Sequence, residues 1–452
     1  MRTEARAPLT RQIAGWAAGV SYDALPTETI EKAKQGLLDT IGVALAGAEH
    51  EASERIGAVV SDLGGQPQAT ILGTRRKTSM SLAALQNAYM AHVLDFDDSH
   101  FDAIVHVNAP VAAVGLAVGE SLNVGGRELL AAYVAGLEVT SRVAIAAVAQ
   151  RDHGWHITGT AGAFGAATTA SRLFDLDAEQ TANAMGIVST LSSGLRAHRG
   201  TMTKALNPAN AAHNGILAAI SARHGMTASC SILEDPELGY FVTHGAPEAP
   251  YLADGLGERF RMLDWDPKPY PCGVVVHPAI DAALELLERG VVADQIERVE
   301  LLVNPLALII TGNPAPANGL ESKFSVFHAT ATALLTGSVL PKHFEDDWVG
   351  RPELVDLRSR ITGKATEGTP RDEAEIAAYL RDGTMVRARV KALGTRERRM
   401  EMAEVRRKFA LLTEPLLGKT GAETVIELVD GVETPSAVRD LIRACTSGQD
   451  RE

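Results

Sequence analysis

Four prolines between positions 267 and 278 divide this chain of 452 residues. They fall in the segment DPKPYPCGVVVHP, and a proline has neither the N–H nor the clearance to sit inside a helix or a central strand. Ahead of this break the pattern is helix after helix. Thr27 is placed to cap a segment in which Ile30, Ala33, Leu37 and Ile41 recur at helical spacing and which ends near Gly47. Further helices are expected over 80–94, 109–122, 128–149, 159–173, 181–193 and 207–225, rich in Ala and Gly, as close helix–helix packing requires.

Past the prolines the character changes. A short helix is expected over 281–289, then a strand in which Val299, Leu301 and Val303 alternate. Asp382-Gly383 is a turn signal, followed by Val386, Ala388 and Val390 alternating with Arg387, Arg389 and Lys391. From Arg398 onward the helical pattern returns. The expected fold is therefore mainly α: a large all-helical domain over 1–266, a smaller α+β domain inserted over 267–396, and C-terminal helices over 397–452 that rejoin the first domain.

A net charge of −13 is the wrong sign for a nucleic-acid surface, and no apolar run is expected to reach the ~18 residues of a membrane span. The N-terminus MRTEARAPLTRQ has charge without an apolar core after it, so no signal peptide is read and the cytoplasm is the expected location. Cys230, Cys272 and Cys445 are too scattered for a disulfide framework or a cysteine metal site. With no GxGxxG after a strand and no GxxxxGK[ST], side-chain chemistry without a cofactor is expected.

Chemistry concentrates in NAYMAHVLDFDDSHFDAIVHVNAP, residues 87–110. Asp95, Asp97, Asp98 and Asp102 stand there with His92, His100 and His106 among apolar residues, where burial and neighbours set each pKa. The bland reading is that the acids cap the following segment. Four other places stand out: RDHGWHITGTAGAFG, with His153 and His156 before a Gly-rich helix start that can seat a carboxylate; GTMTKALN, a polar loop carrying Lys204; KPYPCGVVVH, with Lys268, Tyr270, Cys272 and His277; and KFSVFH at a helix start. Together they describe an acid/base enzyme for a small anionic substrate. A metal-dependent hydrolase with Asp95, Asp97, Asp98, His100 and His106 as ligands is the reading from a different class.

These segments resemble the MmgE/PrpD family in HVLDFDDSHFDAIVH, GWHITGTAGAFGAA, GTMTK, KPYPCGVVVHPAID and KFSVFH, which appear in the family's order. That family includes 2-methylcitrate dehydratase, cis-aconitate decarboxylase and iminodisuccinate epimerase. The resemblance implies a helical domain, an α+β lid, a homodimer, and a site between the domains without metal or organic cofactor. It places the site on Asp95, His106, His156, Lys204 and His277, with His328 where decarboxylase-like members often have tyrosine. Lys268 and Tyr270 are expected to bind substrate. After His106 the chain has Val-Asn where many members have Pro-Ser, and after Lys204 it has ALNPAN. The expected role is proton abstraction next to a carboxylate of a di- or tricarboxylate, foremost in a dehydration. His106 would be the base or acid, Asp95 would hold its tautomer, and His277 would be the second acid/base group. An epimerase, then a decarboxylase, are the alternatives.

Overall fold

Small residues let the helices of the first half meet backbone to backbone. In the computed structural model, which describes residues 8–103, 105–246 and 252–446, the helices Asn108–Leu122, Gly126–Ala146, Ile157–Leu173 and Thr203–Arg223 pack around one another. A Cβ added at Gly136 would run into Thr169 and Gly165, and one at Gly215 would come within 2.5 Å of the Ala166 Cβ. Only glycine allows such approach. Met80–Val93, Ala178–Leu191, Leu9–Gly19 and Thr27–Gly47 surround this group. Thr27 is the first helical residue rather than the cap, with Pro26 before it.

The helix Gly126–Ala146 corrects one expectation: by length and composition it could cross a membrane. Instead 89% of its apolar window is buried inside the protein, and its charges are used internally. Arg142 pairs with Glu138 at 2.6 Å and donates to the carbonyls of Leu252 and Arg259.

Residues Cys272 to Ala388 enclose a second hydrophobic core. It is built on a four-stranded sheet in the order Ile361–Ala365, Ile296–Val303, Glu373–Leu380, Met385–Lys391, with the first pair parallel and the others antiparallel. Val299, Leu301 and Val303 face inward, and a register shift between Ile296 and Arg298 turns Ile296 inward as well. The helices His277–Glu288 and Val326–Thr336 cover that face. Pro278 lies in the first turn of its helix, where the missing N–H costs nothing. Met400 and everything after it up to Cys445 return to the first core, chiefly through the helix Met402–Asp430 against Thr27–Gly47.

Beside the acidic stretch Ser99–His100 pairs antiparallel with Trp265–Asp266 inside the first unit, and Arg396, at the end of the inserted unit, reaches Asp102 at 3.0 Å.

Candidate active site

The helix Met80–Val93 ends just before the acids, and Asp95 then takes a left-handed conformation at φ 53°. This is uncommon for a residue with a side chain, and it sends neighbouring acids in different directions. Asp98 turns back to accept the backbone N–H groups of Val107 and Asn108, both at 2.9 Å, at the start of the helix Asn108–Leu122. For this residue the capping reading holds. Burial, with Asp97 beside it, raises its carboxyl to about 7. His100 bonds the carbonyl of Arg261 at 3.2 Å, and Asp102 pairs with Arg396.

Asp97 lies between two imidazoles. Its Oδ2 is 2.7 Å from His92 Nδ1, and its Oδ1 is 3.0 Å from His106 Nδ1, the latter off the line of a hydrogen bond. Asp95 is 3.8 Å from His106 Nε2. The carboxylate that orients His106 is thus Asp97 and not Asp95, because the left-handed turn aims Asp95 elsewhere. Asp95 Oδ1 meets Lys268 Nζ at 2.7 Å and Lys204 Nζ at 3.2 Å. Burial alone would raise its carboxyl, but Lys204 and Lys268 outweigh it and hold Asp95 well below the usual carboxylate range.

Lys204 also donates to His92 Nε2 at 2.9 Å, so that nitrogen is unprotonated and Nδ1–H faces Asp97. Burial pushes His106 down to about 4, with Lys268 and His92 adding to it and Asp97 opposing. A neutral His106 with Nδ1–H toward Asp97 leaves a lone pair on Nε2, the arrangement of a general base. His156 stands immediately before the helix Ile157–Leu173, its ring 5.9 Å from that of His92, and burial holds it well below the usual range. Lys204 is in the first turn of Thr203–Arg223 rather than in a loop, since the helix begins ahead of Pro208 and runs through it.

These groups border a small cavity of ≈ 90 Å³. Asp95, His106, His156, Lys204 and Lys268 line it, as do Arg151, Arg196 and Arg199, with Phe324 and Val274 among the apolar walls. Among the described residues Arg196 and Arg199 have no carboxylate partner; they donate to the carbonyls of Arg151 and Ile310. The sequence reading gave no role to the three arginines or to His92, and gave Asp97 one only as a metal ligand in the alternative reading. The signal for Arg196 and Arg199 was the run RAHR directly before GTMTK, and Arg151 opens the motif RDHGWH.

Three expected residues stand off the cavity. His277 is buried at the head of its helix, its ring edge-on to Tyr270 at 5.4 Å, while Gly273, Val274 and Val275 form the wall. Tyr270 commits its hydroxyl to Asp281. His328 bonds the carbonyl of His343 at 2.8 Å beside Phe344. The five-residue metal set is not assembled either, because Asp98 and His100 are engaged elsewhere. Among the described residues His92, Asp97 and His106 have atoms close enough to share an ion, yet His92 turns one nitrogen to Asp97 and the other to Lys204.

The chain was compared with known proteins on this basis. The MmgE/PrpD N-terminal domain matches residues 11–251 and the MmgE/PrpD C-terminal domain matches residues 270–434. Among curated relatives, the cis-aconitate decarboxylase of Aspergillus terreus is 25% identical over 97% of this chain and 96% of its own length. Those of Mus musculus and Homo sapiens are also 25% identical, each over 94% of this chain and 91% and 92% of their own lengths. The matched domains carry both the helical core and the sheet unit, so the chain belongs to the MmgE/PrpD family.

Proposed function

We propose that this chain is a lyase that moves a proton at a carbon next to a carboxylate of a small di- or tricarboxylate. One observation carries this reading: a neutral His106, oriented by Asp97, shares a small cavity with two lysines and three arginines. The arginines and Lys204 offer charge-assisted hydrogen bonds to substrate carboxylates. His106 Nε2 takes the proton beside one of them. The cations stabilise the enolate-like charge that develops there.

In the dehydration that is our first reading, the electron pair left on carbon forms the alkene. Hydroxide departs as water with a proton from Lys204 or Lys268. A second reading, decarboxylation, is favoured by the end-to-end likeness to enzymes named cis-aconitate decarboxylase. There the bond to one carboxylate breaks, carbon dioxide leaves, and the same acids protonate carbon.

The test is incubation of the purified protein in D₂O with a panel of hydroxy-, amino- and unsaturated di- and tricarboxylates, followed by proton NMR and carbon dioxide release. New vinyl signals without gas establish the dehydratase. Gas with loss of one carboxylate establishes the decarboxylase. Deuterium entering at the α carbon with neither would leave the proton abstraction standing and overturn the lyase assignment in favour of an epimerase-type reaction. No exchange and no turnover across the panel overturns the proposal.

A further inference from the structure

Three buried lysines from distant parts of the chain converge on one turn of backbone. Lys323 Nζ donates to the carbonyl of Leu94 at 2.8 Å, Lys268 to that of Asp95 at 3.1 Å, and Lys408 to that of Phe96 at 2.7 Å. All three side chains are buried. The carbonyls follow one another directly after the helix Met80–Val93, on its C-cap Leu94 and the two residues beyond, where the helix dipole favours cations. Helices usually close this position with a left-handed glycine; here the left-handed residue is Asp95 itself.

The lysines differ in what else holds them. Lys268 also binds the Asp95 carboxylate. Lys323 has no carboxylate in ion-pair contact among the described residues; its second acceptor is the carbonyl of Pro271 at 3.2 Å. Lys408 pairs with buried Asp39 at 2.6 Å. An ammonium group is costly to bury, and an apolar side chain of similar length would fill the same space with less penalty. Packing alone therefore does not account for three of them on consecutive peptide groups.

We propose that Lys323 and Lys408 are positioning residues of the active site. By holding the carbonyls on either side of Asp95 they fix the turn that aims Asp95 at Lys204 and Lys268 and sets Asp97 between His92 and His106. Neither lysine lines the cavity that holds His106; Lys323 borders a smaller one beside His92, Asp95 and Lys204, and the contact each lysine makes with the turn is through a backbone carbonyl. This inference rests on the acid/base reading above.

The test uses the full chain with Lys323→Met, and separately with Lys408→Met combined with Asp39→Asn so that no buried charge is left alone. Steady-state kinetics are measured on the panel carboxylate that turns over, with His106→Gln in parallel. Amide hydrogen exchange over 94–98 is followed in all proteins. The expected result is a fall in kcat of about 100-fold, the scale of a small misplacement of catalytic groups. KM should stay close to that of the parent, with faster exchange confined to 94–98. A folded variant with parental kcat and parental exchange overturns the proposal. So does loss of the native fold in both lysine variants, which would make the lysines general supports. An active His106→Gln protein would instead refute the acid/base reading itself, whereas an inactive one beside fully active lysine variants would refute only the positioning role.

Discussion

Replacing His106 with glutamine gives a direct measure of whether this imidazole is neutral in the folded protein. An exposed histidine takes up its proton near pH 6.5, and burial pushes His106 down to about 4. The folded state therefore refuses a proton that the unfolded chain accepts. The stability His106 contributes is complete above about pH 6.5 and is lost as the pH falls toward about 4. The full separation is worth about 3.4 kcal/mol, and between about pH 7.5 and about pH 4.5 the loss is about 2.5 kcal/mol. Glutamine does not titrate, so urea unfolding of His106→Gln should show a smaller decline over that range by about this amount. His92, His156, His277, His328 and His343 are pushed down as well and contribute to the slope of both proteins. Parallel declines would mean that folding leaves the pKa of His106 unchanged and would refute the shift, and a steeper decline in His106→Gln would mean that Asp97 holds the imidazole protonated, so that the base assignment would fail. The acid limb of kcat/KM gives the kinetic counterpart: it should lie near pH 4 in the parent rather than near 6.5.

The remaining predictions concern the groups around this base. Lys268→Met strips Asp95 of its nearest cation and should abolish turnover and destabilise the fold by roughly 3–5 kcal/mol, the cost of breaking a buried pair; the double variant with Asp95→Asn should be more stable than Lys268→Met alone in thermal denaturation. Arg199→Ala removes a cation that contacts substrate rather than the reacting carbon, so KM should rise by about 10-fold or more with kcat nearly unchanged. His328→Asn should keep turnover near the parental rate and lower the melting temperature, since that ring supports the backbone at His343; an inactive but folded protein would place His328 back in the reaction.

How far the sequence could be read depended on whether local pattern and tertiary contact agreed. The helices of the first half were legible because apolar periodicity decides the burial of each face. The sheet was legible only in part. Ile296–Val303 and Met385–Lys391 alternate visibly, but Glu373–Leu380 reads EAEIAAYL, a run of strong helix formers. It is a strand because neighbours pair with it on both edges, and that information lies elsewhere in the chain. Ile361–Ala365 shows no alternation and is an edge strand set by its parallel partner.

The site divided in the same way. The acidic stretch announced itself, yet whether Asp95 or Asp97 faces His106 depends on one backbone angle at Asp95. The partner of Asp95, Lys268, is 173 residues away, so no spacing rule could have joined them. His277 sits in a motif that lines the cavity, but the lining comes from Lys268 and from Gly273 to Val275, and not from the histidine.

The glycine contacts between the helices Ile157–Leu173 and Thr203–Arg223 act as a gauge. His156 stands at the head of the first and Lys204 in the first turn of the second. Near the heads Gly159 lies against Asn207, and farther along Gly215 lies against Ala166. With the two backbones touching at both points, neither helix can slide past the other. The separation of His156 and Lys204 is thus set by the pair of helices and not by the connecting segments. The rim segment with Arg196 and Arg199 hangs outside this gauge. A lineage can rewrite that segment, and with it the shape of substrate admitted, while the spacing of the reacting groups stays as it was.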